Sequence, residues 1–301
     1  MADPINPLVA LSDHTAQIVD RAAPFVVAVH GGRRRPASGI HWRAGVIVTA
    51  EEILERDEDI AVTLPGGRKV GASLVGRDPS TDVAVLRFPP DGLAAAKTAD
   101  AATLRTGHVV LAVGSHDGAP IASLGIVTFV GGAWHSARGG AIDSLLRLDL
   151  ALNPLAEGGA LVDAHGRVLG MTVFGPRRRA LAIPASTIDR AVDQLLSKGH
   201  VERGYLGAGL QNVRLPRAAG ETSEGQRGIL VVSIDPNGPA GRSGLLVGDV
   251  ITAWNTNPIM RVREVMRLLG PDSVGTNVDL QLVRAGAPTS LKVTIGGRPL
   301  T

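Results

Sequence analysis

Apolar residues fall in short runs at even spacing along the first two thirds of the chain. They occur at 26–30, 45–49, 59–64, 69–76, 81–88, 109–113, 123–130, 145–150, 160–162, 168–173 and 180–183. Turn signals separate them, among them Gly31-Gly32, Pro65-Gly66-Gly67, Pro89-Pro90-Asp91-Gly92, Gly131-Gly132 and Asp163-Ala164-His165-Gly166. Many short strands joined by Gly- and Pro-rich turns, with no helix between them, predict an all-β barrel or sandwich. Two helical periods flank the run. Residues 12–22 predict a short helix with Ser12 as N-cap, Thr15, Ile18, Val19 and Ala22 on one face, and Pro24 closing it. Residues 184–199 predict a second, whose buried stripe is Ile188, Ala191, Val192, Leu195 and Leu196 and whose C-terminus ends on Gly199.

The pattern changes near residue 202. Beyond it the chain reads as a compact β-rich unit with a helix at 262–269 and a helical turn at 240–244. The expected organisation is an N-terminal helical segment (1–23), a β domain (24–202) and a second domain (203–301). Composition agrees with strands and turns more than with long helices: of 301 residues, 38 are Gly and 19 Pro, and 44% hydrophobic content suffices for a full core. The net charge is only +3, and the basic runs Arg33-Arg34-Arg35 and Arg177-Arg178-Arg179 lie beside Gly or Pro, so they read as solvated loops. No recognition motif accompanies them, and nucleic acid is not an expected partner. With no cysteine, disulfides and thiolate chemistry are excluded. No apolar run is long enough to span a bilayer. The first residues have neither a basic nor an apolar leader segment, so the expected compartment is cytoplasmic as written, or periplasmic if a leader has been removed.

The candidate chemistry centres on Leu152-Asn153-Pro154-Leu155-Ala156-Glu157-Gly158-Gly159-Ala160-Leu161-Val162. A Pro, then a loop, then paired Gly before an apolar strand makes a tight turn with close backbone approach. This stretch resembles the nucleophile loop of chymotrypsin-like serine proteases, Asn-Pro-Gly-Asn-Ser-Gly-Gly-Pro-Leu, with Glu157 at the serine. Further blocks resemble the HtrA/Deg branch in order: Ala37-Ser38-Gly39-Ile40 with Val46-Ile47-Val48-Thr49-Ala50; Asp78-Pro79-Ser80-Thr81-Asp82-Val83-Ala84-Val85-Leu86; Ala112-Val113-Gly114-Ser115; Leu124-Gly125-Ile126-Val127; Asp149-Leu150-Ala151-Leu152-Asn153-Pro154; and Ala182-Ile183-Pro184. The resemblance implies a mainly β fold, a chymotrypsin-like double β-barrel.

It also implies a degenerate triad, with Glu52 where the family has histidine, Asp82 retained, and Glu157 for serine. Acyl transfer needs a hydroxyl or thiol activated by a base titrating near neutrality, and glutamate at its usual pKa of about 4.3 is a poor general base. Leu155-Ala156 replaces the Gly-Asn of the oxyanion turn, where a Cβ opposes the required amide orientation. The histidines His30, His41, His108, His116, His135, His165 and His200 are dispersed, lack zinc spacing, and read as surface-loop residues. Three carboxylates in one cleft would hold a proton or a cation. The favoured reading is drift after loss of activity, with Glu52 and Glu157 turned to solvent. No metal and no cofactor are expected.

In the second domain, Arg203-Gly204-Tyr205-Leu206-Gly207-Ala208, Gly228-Ile229-Leu230-Val231-Val232-Ser233-Ile234, Pro236-Asn237-Gly238-Pro239-Ala240-Gly241-Arg242-Ser243-Gly244-Leu245 and Val247-Gly248-Asp249-Val250-Ile251 resemble a PDZ domain over residues 204 to about 297. The resemblance implies strand addition of a peptide C-terminus. Its carboxylate would meet the amides of Tyr205, Leu206 and Gly207, and an apolar last side chain would enter between Val265, Met266 and Leu269. Core packing is an equal reading for Leu206 and Leu269. The charged stretch 214–227 inserts early and obscures the first strand's length. The leading expectation is a catalytically inactive HtrA-like scaffold, adaptor or chaperone for protein or peptide C-termini with an apolar last residue. The alternatives are an active endopeptidase with a non-standard site, or cation binding at the carboxylates. A homo-oligomer or a subunit of a larger assembly are both open readings.

Overall fold

A computed structural model describes residues 6–32, 36–89, 92–214 and 227–298. The arginine run 33–35 and residues 215–226 of the charged insertion lie outside the described residues. Contacts divide the chain into two compact units: Met1–Trp134 with Ala141–Val201, and His135–Gly140 with Glu202–Thr301.

The first unit holds two six-stranded barrels. Strands β1 (Val26–His30), β2 (Ala37–Arg43), β3 (Val46–Thr49), β4 (Ile60–Thr63), β5 (Lys69–Asp78) and β6 (Val83–Arg87) close in the order β1-β2-β3-β6-β5-β4. Strands β7 (Val109–His116), β8 (Ala119–Gly131), β9 (Leu145–Asp149), β10 (Ala160–Val162), β11 (Val168–Phe174) and β12 (Ala180–Pro184) close in the order β9-β12-β11-β10-β7-β8. Closure pairs every strand and leaves no free edge. One cluster of buried side chains runs through both barrels, joining Ile40, Val48 and Val85 to Leu111, Val113 and Met171.

The first helix, α1 (Pro7–Ala22), starts a turn and a half earlier than the sequence predicts. Asn6, not Ser12, is its N-cap: the Asn6 side chain accepts from the Leu8 amide at 3.0 Å, and Pro7 occupies the first helical position. Its C-terminal part buries Ile18 and Ala22, while Leu8, Val9 and Leu11 are exposed. Helix α2 (Ala185–Lys198) buries Ile188, Ala191, Val192 and Leu195 against the barrels and ends on Gly199 at φ 74°. The Trp42 indole donates to Asp189 at 2.8 Å, and Arg43 pairs with Asp189 and Asp193. Two adjacent residues of β2 thus fix the helix's azimuth.

Two histidines are not the surface-loop residues expected. His41 sits in β2 and is buried. Its Nδ1 lies 2.9 Å from the Ala94 carbonyl, its Nε2 accepts from the Gly45 amide, and its ring meets Phe88 edge-on. These partners select the neutral Nδ1–H tautomer, and burial lowers its pKa. His30 is half-buried in β1 and bonds the Thr63 hydroxyl at 2.8 Å.

The second unit is a six-stranded sheet with two short helices. Strand β13 (Gly204–Tyr205) pairs with Gly296–Gly297. The main path runs β14 (Ala208–Arg214), β15 (Arg227–Ile234), β16 (Val250–Trp254), β17 (Asn277–Arg284) and β18 (Ala287–Thr294), with the short strand Asn257–Pro258 pairing to β16 off it, so β14 is an edge strand. Helices α3 (Pro239–Arg242) and α4 (Val262–Leu268) cover it. Ile229, Val231, Ile251, Leu280 and Val293 form its core. Asp249 is buried and bound by Arg284, whose two nitrogens each lie 2.8 Å from the carboxylate. Among the described residues no helix is long and apolar enough to cross a membrane.

Candidate functional site

After β3 the chain makes a 3-10 turn, Glu51–Ile53, that delivers two amides to one aspartate. Glu52 N–H donates to Asp82 Oδ1 at 3.0 Å and Glu51 N–H to the Asp82 carbonyl at 3.3 Å. Asp82 itself sits at φ 59°, a left-handed conformation unusual outside glycine. Asp78 holds it there. The buried Asp78 carboxylate accepts from Ser80 N–H at 3.0 Å and from the Ser80 and Thr81 hydroxyls at 2.5 Å, which fixes the residues leading into Asp82.

Glu157 arrives from the second barrel on the 3-10 turn Pro154–Ala156. Its Oε1 accepts from Phe174 N–H at 3.3 Å, and its carboxyl lies close enough to Glu52 to feel its charge. Glu52, Asp82 and Glu157, 105 residues apart at the extremes, are therefore brought together. Glu157 is half-buried and engaged, where drift predicted a solvated side chain; Glu52 is the exposed member. Burial first, then the neighbouring Glu52 carboxyl and the charge of Asp82, push Glu157 up to about 7. Burial first, then the charges of Glu52 and Glu51, push Asp82 up to about 7, against the Glu52 amide that favours its ionised form. With Asp82 and Glu157 both raised to about 7, close-set acids favour keeping a proton among them near neutrality. Among the described residues no group of three His, Cys, Asp or Glu side chains is arranged to hold a metal ion, and the cation reading gains no geometric support.

The amides of the turn are all engaged. Leu155 N–H donates to Asn153 Oδ1 at 2.9 Å, Ala156 to the Asn153 carbonyl at 2.8 Å, Glu157 to Pro154 at 3.4 Å, Gly158 to Thr172 at 2.8 Å and Gly159 to Ala156 at 3.0 Å. Gly158 is at φ 77°, and a Cβ there would lie 2.4 Å from the Ser38 carbonyl. The hydroxyls of Ser38, Thr49 and Thr172 around the turn donate to the carbonyls of Leu155, Ser38 and Ala156. Sequence reasoning missed Ser38, Asn153 and Thr172, the residues that lock the turn. It also missed Glu51, whose carboxylate pairs with Arg77 at 3.4 Å. Asn153-Pro154 is itself a capping signal that marked the turn.

In the second unit, Tyr205, Leu206 and Gly207 form a bend held through their carbonyls. Ala240 N–H donates to the Leu206 carbonyl at 2.7 Å and Asp235 N–H to that of Gly207 at 2.9 Å. Gly207 adopts φ 76°. Among the described residues the amides of Leu206 and Gly207 have no acceptor, which leaves two backbone donors uncommitted beside the start of edge strand β14. Leu206, Val265 and Leu269 are buried in the core beneath this edge, at 2%, 0% and 6% exposure. Met266 is half-buried, and its carbonyl accepts from Arg203 at 3.2 Å.

The architecture defines a class: a trypsin-like double barrel followed by a PDZ domain. Sequence profiles agree, the trypsin-like peptidase domain matching residues 37–171 and the PDZ domain residues 204–295. The chain is 33% identical over 281 residues to a probable periplasmic serine endoprotease DegP-like of Pseudomonas fulva, covering 89% of this chain and 58% of that protein. It is 32% identical to the Halomonas elongata protein of the same description, covering 89% and 57%. It thus spans a little over half the length of these curated relatives. Among solved structures, HtrA-type protease AlgW with tripeptide is 30% identical at a TM-score of 0.68, covering 95% of this chain and 98% of that one. The serine endoprotease from Yersinia pestis is 29% identical at 0.71, covering 94% and 98%. This chain belongs to the HtrA-type family of trypsin-like serine proteases carrying a PDZ domain.

Proposed function

We propose that this chain is an HtrA-type protein that binds polypeptides without cleaving them, acting as a scaffold, adaptor or chaperone. The observation that carries the reading is the carboxyl cluster. Glu52 and Glu157 flank Asp82, where a protease of this class needs an imidazole and a hydroxyl. A carboxylate cannot form and release an acyl-enzyme as serine does, and none of these acids is an imidazole able to cycle a proton at the attacking atom. The turn amides support the same reading. A developing oxyanion needs at least one preorganised N–H aimed at it, and residues 155–159 all donate internally. The surrounding hydroxyls of Ser38, Thr49 and Thr172 are likewise committed to carbonyls.

Binding would use the PDZ edge. A peptide strand adds along β14, its terminal carboxylate meets the amides of Leu206 and Gly207, and an apolar last side chain packs toward Val265, Met266 and Leu269. The periplasm, the compartment given for the curated relatives, is the one we propose for this chain. Because those relatives are described as endoproteases, the direct test is activity. The full chain is incubated with casein and with a peptidyl phosphonate that labels serine nucleophiles. No cleavage and no label are expected. Labelling of a serine, with cleavage lost when that serine is replaced, would falsify the inactive reading.

A further inference from the structure

We infer that the PDZ groove selects acidic side chains four to six positions before the C-terminal residue of the peptide it binds. This rests on the groove reading above and adds a second recognition element to it. A peptide whose carboxylate sits at the Leu206 and Gly207 amides runs antiparallel to β14. Its last residue lies beside Ala208, and each earlier residue faces the next residue of the strand. At about 3.4 Å per residue, the positions four to six before the last face Asn212 to Arg214, where the strand ends.

That end is built of arginine. A cleft of about 410 Å³ is lined by Asn212, Val213, Arg214, Arg227, Met260 and Arg261. Arg214 and Arg227 are directly paired across β14 and β15. Like charges directly opposite on neighbouring strands repel, and an anion between them removes that repulsion. Arg261 adds a third guanidinium from the residue preceding α4. Among the described residues none of the three forms an ion pair with a carboxylate. The neighbouring acid is Glu264, and its Oε2 is committed to the Met260 and Arg261 amides at 2.7 and 3.2 Å. Asn212 Oδ1 accepts from the Val262 amide at 2.8 Å and ties strand to helix at this end of the groove, so the cationic end is positioned by the same elements that hold the ligand. Guanidinium forks match carboxylate geometry and are the side chains suited to this recognition.

The test measures Kd by fluorescence anisotropy for the full chain with labelled decapeptides ending in valine. Three peptides carry Ala, Glu or Lys at the fourth and sixth positions before the last, and a fourth is the Glu peptide with an amidated C-terminus. At low salt the Glu peptide is expected to bind about tenfold tighter than the Ala peptide, and the Lys peptide more weakly than either, as for a few solvent-facing ion pairs. The preference should fall to about twofold at 0.5 M salt, where screening is short-ranged, and in Arg214→Ala/Arg227→Ala. Equal binding of all three peptides with loss on amidation would overturn this inference while leaving the groove reading intact. A Glu preference that survives the double substitution would overturn the assignment to these arginines. Binding indifferent to amidation, or no binding of any peptide, would overturn the groove reading and this inference with it.

Discussion

Replacing Glu157 with glutamine should make the protein more stable at neutral and alkaline pH and leave it unchanged in acid. Glutamine keeps the shape, accepts from Phe174 N–H as Glu157 Oε1 does, and can donate its own N–H to Glu52. What it removes is an acid whose pKa rises from 4.5 to about 7 in the fold. Between those values the native protein binds a proton that the unfolded chain does not, so unfolding becomes easier as pH rises across this window. Below pH 4.5 both states are protonated and the group contributes no difference. Above 7 the full penalty of an ionised carboxylate among Glu52 and Asp82 is present. At ~1.36 kcal/mol per pKa unit the upper bound is about 3 kcal/mol. Partial solvation and coupling to Asp82 reduce it to about 1–2 kcal/mol. For a unit of this size that is ~3–6 °C in melting temperature. Thermal unfolding of both proteins from pH 4.5 to 8 should therefore give curves that coincide in acid and separate steadily above pH 5. Coincidence at every pH, or a variant weaker at pH 8, would mean that Glu157 is ionised and well solvated, and the account of a shared proton would fail.

Gly158→Ala forces a Cβ against the Ser38 carbonyl at 2.4 Å from a left-handed backbone. It should cost at least ~2 kcal/mol, read as a lower urea midpoint. Arg284→Ala leaves the buried Asp249 carboxylate without the guanidinium that holds its pKa below the usual range. The second unit should lose several degrees of melting temperature at pH 7. The difference should shrink as pH falls through the native pKa of Asp249, because that stabilisation exists only above it. Restoring Glu52→His with Glu157→Ser should yield at most trace phosphonate labelling, since the amides of residues 155–159 remain turned inward. Labelling at the rate of an intact serine protease would show that the turn reorganises freely.

Much of the fold was legible because strand alternation and Gly/Pro turns are local signals. The helix at 184–199 was nearly exact for the same reason: its apolar period is clean and Gly199 can end it. The start of α1 was misplaced because two good caps, Asn6 and Ser12, compete, and Pro7 decides for the first. His41 was misread because its burial depends on Phe88 and Ala94, contacts about fifty residues distant. The acids were found at their chain positions by resemblance alone. Their engagement was not legible, since the elevated pKa of Glu157 comes from burial and from Glu52 on the opposite barrel. In the PDZ unit, an apolar period on α4 looks the same whether Val265 and Leu269 floor a pocket or fill a core, and their burial, at 0% and 6% exposure, is common to both.

The closed barrels offer a neighbour no open sheet edge, but β14, paired only on its β15 side, does. An open sheet margin is a template for any extended chain, including that of a second molecule. Here Gln211, Asn212 and Arg214 are exposed along it, and polar, charged borders of this kind discourage self-stacking. Substitutions that make the margin greasier to improve ligand capture should therefore also make the protein precipitate, because recognition and colloidal solubility draw on one row of backbone groups.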